Sequence, residues 1–566
     1  MLAQLLIVMI AAIAVTIVAE RRNIQAPLLL VFIGLLASFI PGLDRFELEP
    51  EIILTVVLPP LLFSAAREFS LMSFLRRLGS IINLGVFLVL LTALAVGAAA
   101  GSFIPGMTVA TALVLGAVVA PPDAVTAVAV GRKLNLPGQM MTVLKGESLI
   151  NDAAALTLFT FAVASVAGTK LPIPNFLIYL LYSSFAGIAV GVVIGAIVHR
   201  MRLRLENASL STVLGILVPF TAYLVAEEFG ASGVLAVVAA GLLLGNESRE
   251  VTFTARIQER QFWRSTDALL EAFVFAYIGL QLRFVIEEAH ASGMPAGRLA
   301  LFSAGVLAIV IVVRLAWVFL TGRIAAWRDG AIRRRLAALT PAERARRKAR
   351  RGPLSRWARL RDDEHEHMFE LLPPFGWKEN LIIGWTGMRG VVTLAAAAGI
   401  PLLTSSGAAF PGRDIVQAVA YAVAIGTLLL QGLTLPWLIR RLALSAPAEE
   451  RQRAAQHQLA EKLAQQASIA AVEAFRERHD DPRMRRVGDA MLARLKAQQI
   501  LQKSGEWPEE SMHEVAKDML TAQRAALIRA RDEGRLDDEV MREVLEDMDL
   551  EQAVMANRSP ADFGRG

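Results

Sequence analysis

Cysteine is absent from the 566-residue chain, so disulfides, thiolate metal centres and thiol nucleophiles are excluded. Histidine is scarce. Its seven copies fall mostly in loops and in the C-terminal part, without the HExxH-type spacing of a catalytic zinc. The charged C-terminal segment lacks a glycine-rich nucleotide loop. The N-terminus lacks the basic n-region and small-residue cleavage site of a secretory signal, so the first apolar run is expected to be a retained span. No cofactor is expected, and no enzymatic activity.

What the chain has in abundance is apolar sequence: 55% of residues are hydrophobic and the mean hydropathy is +0.48. A soluble chain of this length would make about two to four domains and hold few runs of spanning length. The composition predicts an all-α polytopic membrane protein. About thirteen runs suit a hydrocarbon core of roughly 30 Å. They are Leu2–Ala19, Ala26–Pro41, Ile52–Ala66, Ile81–Phe103, Met107–Val130, Met141–Ala167, Phe176–Val198, Ser211–Ala226, Ser232–Gly245, Asp267–Val285, Leu299–Ile324, Lys378–Ile400 and Ile415–Ile439.

The loops carry an independent signal. Alternate loops hold Arg21 and Arg22; Arg67, Arg76 and Arg77; Arg132 and Lys133; Arg200, Arg202 and Arg204; then Arg249, Arg256, Arg260 and Arg264. The intervening ones hold at most a lone Arg45, Lys170, Arg298 or Arg413. The positive-inside rule then places the N-terminus outside and the C-terminus in the cytoplasm. The net charge of +6 has its source in these clusters, which read as topology signals and lipid contacts rather than a nucleic-acid surface. The densest is the cytoplasmic loop 325–374 (RDGAIRRRL, ERARRKARRG). The chain thus divides into a membrane domain, 1–440, and a cytoplasmic helical tail, 445–566, amphipathic at helical period and punctuated near Asp480 and at Gly505–Pro508.

Three stretches carry chemistry. LKGESLINDAAALTLF, Leu144 to Phe159, puts Glu147, Ser148, Asn151 and Asp152 on a helical face no wider than roughly 140°. A charged side chain at the bilayer centre costs about 2.5–3.5 kcal/mol on insertion scales. Two carboxylates there need partners, most simply a cation or a proton; the plain alternative is a helix start capped by Asn151 and Asp152. The fifth run holds VVAPPDAVTAVAVG. Pro121 and Pro122 remove two backbone donors and break the helix beside Asp123. Freed carbonyls at membrane depth are tolerated only when buried in protein or lining a cavity. The twelfth run, GWTGMRGVVTLAAAAG, is weakened by Gly384, Gly387 and Gly390 and contains Arg389. If the runs form two inverted repeats, the fifth and twelfth occupy matching positions, the strongest sequence pointer to a transport site. In the eleventh run Arg314 cannot shed its proton and needs a carboxylate. Glu147 is its natural partner, with Arg389 as the rival for that carboxylate. Asp267 and Glu271 open the tenth run, as funnel residues or as interfacial charges.

With these residues in view, the chain resembles the first family of monovalent cation–proton antiporters, the bacterial sodium–proton exchangers related to animal sodium–hydrogen exchangers. The likeness spans roughly residues 1–440. It is carried by LPPLLFSAA (Leu58–Ala66), APPDAVTAVAV (Ala120–Val130), GESLINDAAAL (Gly146–Leu156), Arg314 and GMRGVVTLA (Gly387–Ala395). The resemblance implies thirteen spans in an inverted repeat, crossed discontinuous helices and a homodimer. It implies exchange of Na+, also Li+, for H+, electroneutral where an Asn precedes the Asp, serving pH and sodium homeostasis. Asp152 would hold a cation or a proton in turn, Asn151 would brace it, and Ser148 and Asp123 would be further ligands of Na+. Glu147 and Arg314 would be the family's buried ion pair; Arg389, Pro122 and Thr126 are secondary candidates. Two departures stand out: Pro122 replaces a Thr that many relatives carry, and Ser64 replaces a Glu.

The alternatives are a K+/H+ antiporter of the same fold, an organic anion carrier relying on a free Arg389, and an intramembrane hydrolase with Asp123 and Asp152 as a dyad. Ser148 and Asn151 would add nothing to such a dyad.

Overall fold

The computed structural model describes residues 2–22, 24–40, 52–103, 107–169, 173–205, 207–247, 253–291, 294–337, 374–444, 447–478, 481–496 and 509–557. They divide into two units, Met1–Arg328 with Pro374–Ser445, and Asp329–Pro373 with Ala446–Gly566. Among the described residues the structure is helical throughout, apart from loops and an isolated bridge between Leu403 and Ala409.

In the first unit, α1 is Leu2–Arg21 and α2 is Ala26–Ala37. A π turn, Ile53–Val57, leads into α3, Leu58–Arg67. The next rod, α4, joins Leu71–Ile82 through a π turn to Leu88–Phe103. The fifth run is split into α5, Val109–Val119, and α6, Val125–Lys133. Then follow α7 (Gly138–Ala167), α8 (Phe176–Arg202), α9 (Ala208–Glu228), α10 (Gly233–Glu247), α11 (Phe253–Ala291) and α12 (Ala296–Ala337). The twelfth run is split into α13, Trp377–Trp385, and α14, Val391–Ala398. Last comes α15, Arg413–Thr427, continued through a π turn to Leu433–Leu442. Eight of the described helices are long and apolar enough to cross a membrane, beside four shorter apolar ones.

Polar side chains set the ends. Ser70, Thr108, Asn175 and Asn207 each accept a backbone N–H in the first turn of the helix they precede. Gly168 closes α7 in the left-handed region, φ 72°. Several helices outrun their hydropathy. The helix of the fourth run, α4, starts at Leu71 rather than Ile81, that of the tenth run, α11, at Phe253 rather than Asp267, and that of the eleventh run, α12, continues to Ala337. Hydropathy marks only the apolar slab, whereas caps and contacts such as Arg283–Glu287 at 2.7 Å carry the helix past it. Residues 338–373 of the arginine-rich loop lie outside the described residues, as do Arg45, Lys170, Arg249, Asp480 and Gly505–Pro508.

The outward face of α8 exposes Leu177, Ile178, Leu181, Phe185, Val193 and Ile197, a surface water would not tolerate but lipid solvates. Its inward face is a stripe of Gly187, Gly191 and Gly195 set against Ser232, just before α10, and Ala236 and Ala240 within it. Without an apolar driving force between helices in lipid, such close backbone approach supplies the packing. In the second unit, α16 (Pro447–Arg478), α17 (Pro482–Lys496), α18 (Glu509–Asp532) and α19 (Asp538–Asn557) include a core of Ala460, Leu520, Leu527, Ala530, Val540 and Met541.

A methyl group on Gly191 would collide with the Ala236 backbone, whereas one on Gly305 meets open space. Gly191→Ala should therefore cost about 1–3 kcal/mol by overpacking and lower the unfolding temperature in detergent. Gly305→Ala should leave that temperature unchanged or slightly raised.

Candidate functional site at a crossing of two broken helices

Pro121 and Pro122 stop α5 and leave the Val119 and Ala120 carbonyls without intrahelical donors. The Thr386–Gly390 linker likewise separates α13 from α14. The two breaks are bonded to each other. The Asp123 N–H donates to the Met388 carbonyl at 2.5 Å. Arg389, 1% exposed, donates through Nε to Val119 O at 3.0 Å, through Nη2 to Ala120 O at 3.5 Å, and through Nη1 to Gly387 O. It therefore caps the negative end of α5. Its own backbone N–H donates to Thr427 Oγ1 at 3.0 Å.

Asp123 takes the opposite role, at helix starts. Its Oδ1 accepts the Val125 N–H at 2.9 Å, at the first turn of α6, and its carboxylate lies against the Val391 N–H at the first turn of α14. A Cβ on residue 390 would overlap this carboxylate, so glycine is required there.

α7 runs alongside. Its 147–152 stretch is helix interior, with Glu147 about three turns past the N-cap Pro137 and Asn151 and Asp152 further in, so capping does not account for it. Glu147 is 2% exposed and receives both guanidinium arms of Arg314, with Nη2–Oε2 at 3.0 Å. Arg314 also donates to the Ile383 carbonyl, at 3.2 Å from Nε and 3.0 Å from Nη2. One arginine of α12 thus ties α7 to the frayed end of α13. Asn151, fully buried, donates its amide to the Pro122 carbonyl at 2.5 Å, while its Oδ1 is buried without a donor. Asp152, 7% exposed, has neither hydrogen bond nor ion pair among the described residues, and the charge acting on it is that of Asp123. Ser148, one turn before Asp152 on the same face, is half-buried; Thr126 is buried one turn after Asp123 on α6.

The structure therefore gathers Asp123, Pro122, Asn151 and Asp152 at one crossing, with Arg389 bonded across the two breaks and the Glu147–Arg314 pair bordering the same Gly387 linker. Ser64 is elsewhere: its hydroxyl donates to Asp267 Oδ2 at 2.5 Å. Sequence reasoning missed Thr427 and Gln431. The latter is fully buried in the π turn Leu428–Gly432, with neither amide atom hydrogen-bonded; no spacing rule marks either position. Among the described residues no three His, Asp or Glu converge as a metal centre. Both arginines at the crossing, Arg314 and Arg389, are committed to carbonyls or to Glu147, which leaves neither free for an anionic ligand.

The chain has relatives among known proteins. The family model described as sodium/hydrogen exchanger, transmembrane, matches residues 7–441. An uncharacterized Na(+)/H(+) exchanger of Mycobacterium tuberculosis is 28% identical over 98% of this chain and 96% of its own. The Na(+)/H(+) antiporter ApNhaP of Aphanothece halophytica is 27% identical over 80% of this chain and 76% of its own. A sodium, potassium, lithium and rubidium/H(+) antiporter of Bacillus subtilis is 27% identical over 76% and 60%. The fold matches the sodium proton antiporter MjNhaP1 from Methanocaldococcus jannaschii, with TM-score 0.52 and 20% identity over 78% of this chain and 96% of that one.

Removing one partner of a buried pair strands the other charge, at about 3–5 kcal/mol. Glu147→Gln and Arg314→Ala are each expected to lower the unfolding temperature in detergent sharply, and the double variant to lose less than the sum of the two.

Proposed function

The chain belongs to the sodium/hydrogen exchanger family, and on that premise we propose that it exchanges one Na+, or Li+ in its place, for one H+ across a bacterial plasma membrane. The observation that carries this reading is Asp152: a buried carboxylate without a protein partner, facing a second carboxylate at a crossing of broken helices. Hard cations take oxygen ligands. Asp152, Asp123 and Ser148 would hold the ion, Asn151 would fix the Pro122 carbonyl and present its own free oxygen, and a proton on Asp152 would exclude the cation.

Charge balance supports one-for-one exchange. Counting the crossing itself, with Asp267 and Glu271 set apart along α11, Glu147, Asp123 and Asp152 against Arg314 and Arg389 leave one negative charge. One cation or one proton cancels it. The loaded crossing is neutral in either case and can change sides, whereas the empty one would carry a bare charge through a low-dielectric barrier. Alternating access then follows from rocking the crossed helices against the remaining spans.

In this reading residues 1–440 carry out the exchange, with the N-terminus outside. Residues 445–566 and the arginine-rich loop lie in the cytoplasm, and the functional unit is a homodimer in the lipid bilayer. The physiological result is control of internal pH and sodium. K+/H+ exchange is a second reading, supported by the Bacillus subtilis relative, whose name includes potassium and rubidium, and by the loss of side-chain ligands at Pro122 and Ser64.

In proteoliposomes, Na+ and Li+ should dissipate an imposed pH gradient at a rate insensitive to a clamped membrane potential. Asp152→Asn should abolish this while unfolding at nearly the wild-type temperature. Exchange retained in that variant would overturn the site, and a response to K+ alone would establish the second reading.

A further inference from the structure

Glu259, Trp263, Asp267 and Glu271 recur at every fourth residue of α11 and so share one helical face. The first two are closed off. Glu259 is buried between Arg67 and Arg202, each at 2.9 Å. Trp263, 2% exposed, packs on Phe63 with ring centroids 5.1 Å apart.

Beyond them the face is polar but carries no ion pair among the described residues. Asp267 uses Oδ2 to accept from Ser64, while its Oδ1 is buried with no donor in reach. The guanidinium that acts on it, Arg67, is bound to Glu259. Glu271, one turn further on, has neither hydrogen bond nor ion pair among the described residues, and the charges acting on it are those of Asp123 and Asp267. Buried carboxylates that serve stability receive an arginine in this protein, as Glu147 and Glu259 do. These two, half-buried, receive none among the described residues, and Glu271 lies within electrostatic reach of Asp123.

Resting on the exchange reading above, we propose that Asp267 and Glu271 form a loading station for the transported ion. A hard monovalent cation is held between the free oxygen of Asp267 and the Glu271 carboxylate, then passes to Asp123 and Asp152. Ser64 fixes Asp267 by one oxygen, so that the other faces the ion. Two carboxylates make a weak site, and a relay needs weakness, because the ion must leave as readily as it enters. The station lies about 12 Å along α11 from Glu259, whose partners Arg67 and Arg202 stand at the arginine-flanked helix ends. It therefore serves cations arriving from that side.

The test uses the full chain in vesicles of both orientations, with Na+ as the probe. Asp267→Asn keeps the shape and the Ser64 hydrogen bond but removes the charge; Glu271→Gln keeps the shape and removes the charge one turn on. Each should raise the KM for Na+ roughly five- to twenty-fold when Na+ is supplied from the arginine-flanked face. KM from the opposite face, maximal rate and unfolding temperature should stay within about two-fold or a few degrees of wild type. Moving the carboxylate across, Ser64→Asp with Asp267→Ser, should recover most of the lost affinity. An unchanged KM in Asp267→Asn would overturn the station, as would an equal rise from both faces or failure of the swap to rescue. Absence of Na+-driven exchange in the wild type would instead defeat the exchange reading itself.

Discussion

A peptide group in hydrocarbon has no water to fall back on, and this chain breaks two helices at membrane depth. The rest of the site is an answer to that constraint. The freed carbonyls of Val119 and Ala120 take the guanidinium of Arg389; those of Ile383 and Thr386 take Arg314; that of Pro122 takes the amide of Asn151. The freed amides at the starts of α6 and α14 take the carboxylate of Asp123. Each half-helix end is met by a side chain of the complementary sign, as the helix dipole requires.

After that pairing, the charges sort themselves by what they have left to give. Arg314 and Glu147 satisfy each other. Arg389 is saturated by three carbonyls. Asp123 keeps a carboxylate only partly engaged, and Asp152 keeps one with no engagement at all. Function is concentrated where satisfaction ends. A buried carboxylate without a partner is expensive, and under the proposed exchange a mobile ion would serve as the partner of Asp152.

Much of this could be read from the residues. Four polar positions within one helical face, two consecutive prolines and a glycine-spaced arginine each violate what a plain span should contain, and they mark the crossing. What could not be read was pairing across distance. Glu147 had two candidate arginines of identical chemistry, and the choice rests on carbonyls contributed by a segment 270 residues away from Arg389. Ser64 looked like a loss of a carboxylate. In the fold a residue 203 positions later brings one back to the same hydroxyl. Thr427 and Gln431 carried no signal because a buried hydroxyl or amide in an apolar helix looks the same whether it braces a break or only its own helix.

The missing side chain at position 390 has a mechanical consequence. With no Cβ there, the carboxylate of one broken span rests on the first turn of the other, and the Asp123–Met388 backbone bond locks them a second time. Asn151 adds α7 to the same clamp. The four half-helices therefore behave as a single lever: neither break can unwind to open a local gate without carrying the other with it. Under the proposed exchange, a gate that cannot open locally would not slip, and each stroke would carry its ion across in one piece.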